Sequence, residues 1–318
     1  MTANGSNGST IGDIGEFGLI DQVREQIGHN RHILIGSGDD AAHISTNDGS
    51  YVVSTDLLVE GRHFRRDWST ANDVGRKAAA SNLSDINAMG GVATALTVGF
   101  GAPADLPVEW ALEMVRGFEQ ECGRVGAHIV GGDVTASDSI IIAVTAMGDA
   151  PRPVRRSGAV AGDVVAVNGD LGLAAAGFAT LSRGFRSPKA AVEAHRVPHP
   201  PYAAGPQAAR AGATAMTDVS DGLVADLGHI AVASGVAIDI DSSALVIPEA
   251  VATVGEALGR RAIDFVLAGG DSYALVATFG AEGGLPPGWT RIGEVAEGAG
   301  VTVDGEVYDG PTGHQHFR

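Results

Sequence analysis

Acidic residues recur where predicted structural elements end, and this recurrence restricts the folds that the chain can adopt. Residues 76–91 predict a helix, because an alanine run and the spacing of Leu83 and Ile86 lead up to a Gly-Gly stop. Asn82 and Asp85 lie three residues apart, so one stripe of this helix carries an amide and a carboxylate. We expect four other acidic segments to converge on Asp85.

Those four segments are expected where strands end. They are Gly38-Asp39-Asp40, Ser54-Thr55-Asp56, Gly131-Gly132-Asp133 and Asp218-Val219-Ser220-Asp221. Two like charges about 4 Å apart repel by ~4 kcal/mol at an effective dielectric near 20. Four carboxylates together would oppose folding by ~15–20 kcal/mol, which equals or exceeds the ~5–15 kcal/mol of a typical fold. Such a cluster must be protonated or must hold multivalent cations.

Oxygen ligands of this kind select hard cations, Mg²⁺ first, and Mg²⁺ commonly bridges phosphate oxygens. The predicted ligand is therefore a nucleotide or another phosphate ester, held through metal. The alternative for each aspartate is a helix cap or a turn former. Taken singly, Asp39 and Asp221 fit that alternative better, whereas the five segments taken together favour a metal site.

The composition limits the partners. The formal net charge of −17 argues against nucleic acid and against an anionic membrane surface. The single cysteine, Cys122, excludes an intramolecular disulfide and a multi-cysteine metal site. No apolar run reaches membrane-spanning length, and residues 1–10 lack the regions of a signal peptide. We therefore expect a disordered lead-in over 1–10 and a cytoplasmic protein.

The order of elements predicts the fold class. Strands alternate with helices in both halves and some strands follow each other directly, which indicates α/β halves with mixed, α+β-like sheets. The composition shifts near residue 150, so we predict domains over 11–150 and 151–318. Residues 265–268 predict a strand that leads into Gly269-Gly270-Asp271. With only two lysines and no Gly-x-x-x-x-Gly-Lys loop, a P-loop or protein-kinase mechanism is disfavoured.

Seven short motifs occur in one order along nearly the whole chain. They are Gly-Asp-Asp-Ala-Ala at 38–42, Ser-Thr-Asp at 54–56, Glu-Gly-Arg-His-Phe at 60–64, Asn-Leu-Ser-Asp-Ile at 82–86, Gly-Gly-Asp at 131–133, Arg-Ser-Gly-Ala at 156–159 and Asp-Val-Ser-Asp-Gly-Leu at 218–223. Each is weak alone. In this order they make the chain resemble the thiamine-monophosphate kinase family, in the superfamily of aminoimidazole-ribonucleotide synthetase and selenophosphate synthetase.

The resemblance implies a two-domain fold like that of aminoimidazole-ribonucleotide synthetase. Its N-terminal domain would bind ATP and metals and would pair with a second copy in a barrel-like homodimer, and its C-terminal domain would be α/β. The implied reaction converts ATP and thiamine monophosphate into ADP and thiamine diphosphate. It would proceed by direct in-line transfer with several Mg²⁺ ions.

The resemblance also implies residue roles. Metal ligands would be Asp39, Asp40, Ser54, Thr55, Asp56, Asp85, Asp133, Asp218 and Asp221. ATP would contact Arg116, Gly132, Asp133, Arg156 and Ser220. The thiamine phosphate would contact His63, Asp271 and the aromatic Phe317. Asp85, Asp133 and Arg156 would be catalytic.

One segment departs from the family pattern Gly-Gly-Glu-Asp-Tyr-Glu-Leu. Residues 269–275 are Gly-Gly-Asp-Ser-Tyr-Ala-Leu, so Asp271 keeps a shorter carboxylate while Ser272 and Ala274 lose charge. Two alternatives therefore stay open: another ATP-dependent synthetase of the superfamily, or a non-catalytic nucleotide-binding dimer. Selenophosphate synthetase is disfavoured, because no cysteine lies near the N-terminus.

Overall fold

The structure is a computed structural model that describes residues 9–37, 42–311 and 313. Its residues form two compact units. The first comprises Met1–Leu83 and Ala93–Asp149, and the second comprises Ser84–Val92 and Ala150–Arg318. Among the described helices, none combines the length and hydropathy that crossing a bilayer requires.

The first unit is built around a four-stranded sheet with the order β3-β6-β4-β5. Strands β3 and β6 pair antiparallel, whereas β4 and β5 pair parallel. Its elements are α1 (Ile11–Arg24), β1 (Ile33–Ile35), β2 (His43–Ile44), β3 (Val52–Val59), the part of α2 (Ala71–Ala88) up to Leu83, β4 (Val92–Ala102) from Ala93, α3 (Val108–Cys122), β5 (His128–Ala136) and β6 (Ile141–Asp149).

Helices α2 and α3 touch through backbone rather than through large side chains. A Cβ atom at Gly75 would lie 1.9 Å from the Met114 carbonyl oxygen, and one at Gly117 would lie 2.2 Å from the Asn72 carbonyl oxygen. Only glycine fits at both positions, so the two helices approach closely. The apolar face of α3, which includes the fully buried Phe118, packs inward at helical spacing.

Alternation along the edge strand β3 leaves one apolar face of the first sheet uncovered. Tyr51, Val53 and Leu57 are 58%, 58% and 55% exposed, whereas Leu58, on the other face, is 4% exposed. Successive strand residues point to opposite faces, so these exposed side chains share one face with Thr55. We call Tyr51, Val53, Thr55 and Leu57 the open face.

The second unit contains a seven-stranded mixed sheet with the order β13-β12-β9-β11-β7-β10-β8. Only the β12–β9 pair is parallel among its described strand pairs. Its further elements are β7 (Val164–Asn168), α4 (Leu173–Leu181), α5 (Lys189–Arg196), α6 (Ala204–Arg210), β8 (Ala215–Asp218), α7 (Leu223–Ser234), β9 (Ala237–Ile240), a 3₁₀ turn (Ser242–Ala244), α8 (Glu249–Leu258), α9 (Ala262–Ala268), β10 (Leu275–Phe279), β11 (Thr290–Ala296), β12 (Gly300–Val303) and β13 (Glu306–Val307).

The central strands of this sheet are buried on both faces. In β7, Val165 and Val167 belong to one apolar cluster, and Ala166 belongs to another that includes Met216 and Leu275. Strands of this kind read as continuous apolar runs rather than as alternating patterns. This explains why the runs at 164–167 and 274–279 stand out in the sequence.

Three sequence predictions are wrong. The segments at 54–56 and 131–133 lie inside strands β3 and β5, not where strands end. Residues 265–268 are the last turn of helix α9, not a strand. Four apolar residues cannot distinguish a strand from a buried helix turn by periodicity alone. The acidic residue Asp264 lies in the first turn of α9, where a carboxylate stabilises a helix. Helix α9 ends at Ala268, and Gly269 follows as its C-cap.

Candidate functional site: an acidic loop, an acceptor loop and an apolar pocket

Asp218 ends strand β8 in the second unit and is 4% exposed. Its Oδ2 atom has no hydrogen-bond partner among the residues that the structure describes. Burial raises the pKa of Asp218 to about 6; the carboxylate of Asp226 adds to the rise, and the guanidinium of Arg156 opposes it. Arg156 thus lies within electrostatic reach of a buried acid.

Asp226, in the first turn of α7, shapes the loop that follows β8. Its Oδ2 atom accepts hydrogen bonds from the main-chain amides of Asp221 and Gly222, both at 3.0 Å. Burial raises the pKa of Asp226 to about 6, although these two amides oppose the rise. The backbone of the Asp218–Gly222 loop is therefore held by a carboxylate from the helix that it precedes.

Asp221, Asp226 and His229 form a group that could hold a cation. Each offers one ligand atom, and these atoms all lie within 4.8 Å of one another. His229 is exposed, whereas Asp226 is buried. Carboxylate oxygens suit hard divalent cations, and an imidazole nitrogen can complete such a set.

We call Asp218–Gly222 the acidic loop, and we call Gly270–Tyr273, where the resemblance places an acceptor contact, the acceptor loop. The acceptor loop is hydrogen-bonded along the acidic loop. The amide of Asp271 donates to the Ser220 carbonyl, and the amide of Tyr273 donates to the Val219 carbonyl, each at 2.8 Å. Asp271 and Tyr273 have φ angles of 60° and 50°, which non-glycine residues rarely adopt. Local strain of this kind often marks a functional loop. The structure thus brings together residues expected to bind metal and the residue expected to bind the acceptor.

Ser272 occupies the position where the family pattern has an aspartate, and its hydroxyl accepts a hydrogen bond. Its Oγ accepts a hydrogen bond from the main-chain amide of Gly172 at 3.3 Å, and Gly172 precedes helix α4. A hydroxyl can satisfy an amide at a helix start as a carboxylate does. The departure at 271–274 therefore keeps a local anchor.

The end of α2 belongs to the second unit and carries Asp85. This side chain is partly buried between the buried residues Ser84 and Ile86. Further along the helix, the side-chain Nδ2 of Asn87 donates to the Pro201 carbonyl at 3.1 Å, and Asn87 Oδ1 accepts from the main-chain amide of Gly205 at 3.0 Å. Both functional ends of the Asn87 side chain are thus used to fix this part of α2.

In the first unit, strand β3 presents Ser54 and Asp56 on one face and Thr55 on the other. The Asn82 Oδ1 atom accepts a hydrogen bond from the Asp56 amide at 3.1 Å, so α2 supports this strand. Thr55 Oγ1 instead bonds to Thr145 Oγ1 at 2.9 Å. The Thr55 hydroxyl therefore lies on the open face, away from the side chains of its two neighbours.

His63 has a fixed ring orientation. Its Nδ1 atom accepts a hydrogen bond from the main-chain amide of Val59 at 2.9 Å, and its own amide donates to the Val59 carbonyl at 3.0 Å. In the neutral ring the proton must then reside on Nε2, because Nδ1 acts as the acceptor. His63 consequently offers an N–H donor at Nε2.

An apolar pocket lies in the first unit, with about 640 Å³ of empty space that includes part open to solvent. Its walls come from α1, α3 and strands β4 and β5, and Gly132 and Asp133 form part of its lining. A Cβ atom at Gly132 would lie 2.0 Å from the Val98 carbonyl, so β4 and β5 approach closely there. Small-molecule sites are commonly apolar pockets with a few polar groups.

Arg116 does not line this pocket. Its guanidinium forms ion pairs with Glu109 and Glu113 on the same helix, and its side chain is 41% exposed. The neighbouring residues Met114 and Val115 line the pocket instead. Three further residues with expected roles, Asp39, Asp40 and Phe317, lie outside the described residues.

Two family models cover most of the chain. Residues 38–150 match the AIR synthase related protein N-terminal domain, and residues 160–306 match the C-terminal domain of the same family. The chain is also 50% identical over 312 residues to thiamine-monophosphate kinase of Mycobacterium tuberculosis, covering 97% of this chain and 93% of that protein. This chain belongs to the thiamine-monophosphate kinase family.

Solved structures of family members have the same fold. Thiamine-monophosphate kinase from Stenotrophomonas maltophilia is 36% identical, with a TM-score of 0.81 over 91% of this chain and 96% of that chain. AaThiL complexed with AMPPCP and TMP is 34% identical, with a TM-score of 0.81 over 98% of this chain and all of that chain. The predicted two-domain architecture with mixed sheets is therefore confirmed.

Sequence reasoning missed Asp226 and His229 beside the family motif. Asp226 and His229 lie three residues apart in α7, and residues at this spacing share one face of a helix. The sequence therefore contained a signal that these two side chains lie together. Asp226 nevertheless resembles an ordinary acidic residue in a first helical turn. Its burial and its hydrogen bonds to the Asp221 and Gly222 amides distinguish it.

Proposed function

We propose that this chain transfers the γ-phosphoryl group of ATP to the phosphate of thiamine monophosphate and releases ADP and thiamine diphosphate. The bond between the γ-phosphorus and the bridging oxygen breaks as a phosphate oxygen of the acceptor bonds to the γ-phosphorus. The acceptor phosphate is already ionised near neutral pH, so no strong general base is required. The main task of the protein is then to position two anions and to offset their repulsion.

The observation that carries this proposal is the pairing of the two loops in the second unit. Hydrogen bonds from the amides of Asp271 and Tyr273 fix the acceptor loop against the loop from Asp218 to Gly222. A shift in one loop would move the other. This arrangement suits a reaction in which the acceptor and a phosphate-bound cation must keep a constant separation.

The residues of the second unit fit Mg²⁺. Asp218 offers a buried oxygen without a hydrogen-bond partner among the described residues, and Asp221 is partly exposed on the same loop. When bound, Mg²⁺ would neutralise charge on the phosphate oxygens. We assign Asp218 and Asp221 as ligands in this unit. Further proposed ligands are Asp39, Asp40, Ser54, Asp56, Asp85 and Asp133.

Thr55 requires a different assignment from its neighbours. Because its hydroxyl bonds to Thr145 on the open face, away from the side chain of Asp56, Thr55 would contribute less to a cation site near Asp56 than the motif implies. Arg156 and Ser220 would contact the ATP phosphates. His63 would donate from Nε2 to the acceptor phosphate, and Asp271 and Phe317 would complete the acceptor site.

We assign the apolar pocket of the first unit to the base of ATP. Gly132 and Asp133, which the sequence motif links to ATP, line this pocket together with apolar side chains such as Phe100 and Phe118. A flat heterocycle gains free energy from leaving water in such surroundings. Arg116, paired with glutamates on the surface of α3, would play a smaller part than the motif implies.

We further propose that the open face is covered by a second copy of this chain. Tyr51, Val53 and Leu57 are exposed along the edge strand β3. An uncovered apolar face on an edge strand tends to pair or pack with another chain. Two copies that apply this face to each other would form a symmetric interface. The barrel-like homodimer implied by the resemblance satisfies this requirement.

The experiment is an incubation of the full chain with ATP, thiamine monophosphate and Mg²⁺, with ADP and thiamine diphosphate measured separately. We expect both products at equal rates, and neither without Mg²⁺. ADP release that is equally fast without thiamine monophosphate would indicate a plain ATPase. ATP binding without either product would indicate a non-catalytic nucleotide-binding protein.

A further inference from the structure

Three walls of the apolar pocket meet at one carboxylate, that of Glu119. Its Oε2 atom accepts a hydrogen bond from the Gly28 amide at 2.9 Å and lies 2.8 Å from His128 Nδ1. Its Oε1 atom accepts from the Ile129 amide at 3.2 Å. Gly28 follows α1, Glu119 belongs to α3, and His128 begins β5. One side chain therefore joins three separate elements of the first unit.

Every partner of this carboxylate adjoins the pocket in sequence. Ile27 and Ile129 line the pocket, as does Phe118, the residue before Glu119. Gly28 follows Ile27, and His128 precedes Ile129. The hydrogen bonds of Glu119 thus act on the lining itself at Ile129 and one residue away from it at Gly28 and His128.

The site around Glu119 is closely packed. The side chains of Glu119 and His128 are 15% and 20% exposed. A Cβ atom at Gly28 would lie 2.4 Å from the His128 ring, so only glycine allows this approach. Both carboxylate oxygens are occupied, and substitution would leave amide donors without their acceptor.

The opposite end of α1 is held independently. The amides of Ile11 and Gly12 donate to the carbonyls of Leu106 and Ala104 at 2.9 and 2.8 Å. Between the two anchors, Gly15 breaks the helix with a φ of 70°. The α1 wall of the pocket is therefore a segment fixed at both ends, and Glu119 supplies the fixation on the far side of Gly15.

We propose that Glu119 is a positioning residue for the nucleotide base: it holds the α1 and β5 walls of the pocket in their binding arrangement. This inference rests on the proposed assignment of the pocket to the base of ATP. If only a fraction of molecules has the walls in place, the apparent affinity falls to that fraction of its full value. Glu119 itself does not line the pocket, so its effect passes through Ile27 and Ile129.

The test compares Glu119→Gln with wild type in the kinase assay and in direct binding of AMPPCP. Glutamine has the same shape but offers one acceptor oxygen in place of two. We expect the KM for ATP and the Kd for AMPPCP to rise about tenfold, as for a binding-competent fraction near one tenth. We expect kcat to stay within about twofold, the KM for thiamine monophosphate to be unchanged, and inhibition by inorganic triphosphate to be unaffected.

Asp73→Asn is the matched control, because Asp73 accepts a hydrogen bond from the Thr70 amide at the start of α2, which contributes no pocket lining. We expect this control to lower thermal stability without changing the Kd for AMPPCP. If Glu119→Gln lowers stability but leaves the Kd for AMPPCP at the wild-type value, the proposal is overturned. It is also overturned if Glu119→Gln weakens the binding of inorganic triphosphate as much as the binding of AMPPCP.

The proposed function can fail separately. A wild-type chain that binds AMPPCP but forms no thiamine diphosphate would refute the kinase assignment, and the Kd comparison would still decide the role of Glu119. A wild-type chain that does not bind AMPPCP would overturn both.

Discussion

The main-chain amide of Asp271 donates a hydrogen bond to the carbonyl of Ser220 at 2.8 Å. Gly270, the preceding residue, has no room for a side chain, because a Cβ atom there would lie 2.6 Å from the same carbonyl oxygen. The acceptor loop and the acidic loop are therefore in direct backbone contact. The first prediction concerns this contact.

Gly270→Ala should separate the two loops. We expect kcat/KM for thiamine monophosphate to fall at least tenfold, with a loss of roughly 1–3 kcal/mol in the free energy of unfolding from the overpacked contact. Steady-state kinetics and chemical denaturation measure the two effects. Gly284→Ala is the control, because a Cβ atom at Gly284 meets nothing within 4 Å. Wild-type kinetics for Gly270→Ala would show that the contact has no role in acceptor binding.

The stability of the metal-free protein should depend on pH through Asp218 and Asp226. Burial raises the pKa of each from 3.8 to about 6, so the folded state binds these protons more tightly than the unfolded chain. The free energy of unfolding should therefore fall as pH rises from about 4 to about 6, by ~2–3 kcal/mol per carboxylate, and stay low above that range.

Mg²⁺ should offset this loss, because it binds the ionised carboxylates and competes with protons. We expect the rise in Tm on adding Mg²⁺ to be larger near pH 7.5 than near pH 5, as measured by calorimetry. Asp226→Asn removes one titrating group and should flatten the pH dependence of the metal-free protein. A Mg²⁺ effect of equal size at both pH values would contradict the assignment of the acidic loop.

Leu57→Lys should disrupt the proposed homodimer. A lysine on the open face would bury a charge against the proposed second copy. Light scattering should then report the 32.2 kDa mass of one chain, whereas we expect twice that mass for wild type. Val307→Lys, at a residue 82% exposed in the second unit, is the control. If the wild-type chain is monomeric, or if Leu57→Lys stays dimeric, the open face is not the interface.

Asn82 should support strand β3 through its side-chain oxygen. The residue is fully buried, accepts from the Asp56 amide, and donates from Nδ2 to the Ala78 carbonyl at 3.0 Å. Asn82→Leu leaves the Asp56 amide without this acceptor, at an expected cost of ~1–3 kcal/mol in unfolding free energy. We also expect a higher Mg²⁺ requirement for turnover, measured by titration at saturating ATP. A variant as stable as wild type would show that water replaces Asn82.

Long, strongly patterned segments were predictable from the sequence. The helix expected over 76–91 is α2, which ends at Ala88 before the Gly90-Gly91 pair, and Gly90 has a φ of 75°. Its alanine run has high helix propensity, and its apolar stripe is continuous. The order of the motifs also identified the family, because those loops sit on elements whose sequence patterns are clear.

Other features could not be read from local pattern. The run at 265–268 was too short to distinguish helix from strand. The sequence likewise gave no sign that residues 84–92 associate with the second unit, since the helical pattern continues unbroken through Leu83. That association depends on contacts of Asn87 with residues more than a hundred positions away. Long-range partners of this kind leave no periodic trace.

Strand β3 shows the limit of motif reading most clearly. The motif treats Ser54, Thr55 and Asp56 as one group, but alternate residues of a strand face opposite directions, so Thr55 turns towards Thr145. The residue types were therefore informative, whereas the atoms that each could contribute depended on the geometry of the sheet.

The two-sidedness of β3 also limits which changes the gene can tolerate. Inserting or deleting a single codon between Val53 and Leu57 would rotate every later side chain of the strand by half a turn. Asp56 would then point towards the proposed second copy, and Leu57 would occupy the place of a proposed charged ligand. Point substitutions can adjust either surface alone, whereas a change in strand length would abolish assembly and chemistry together.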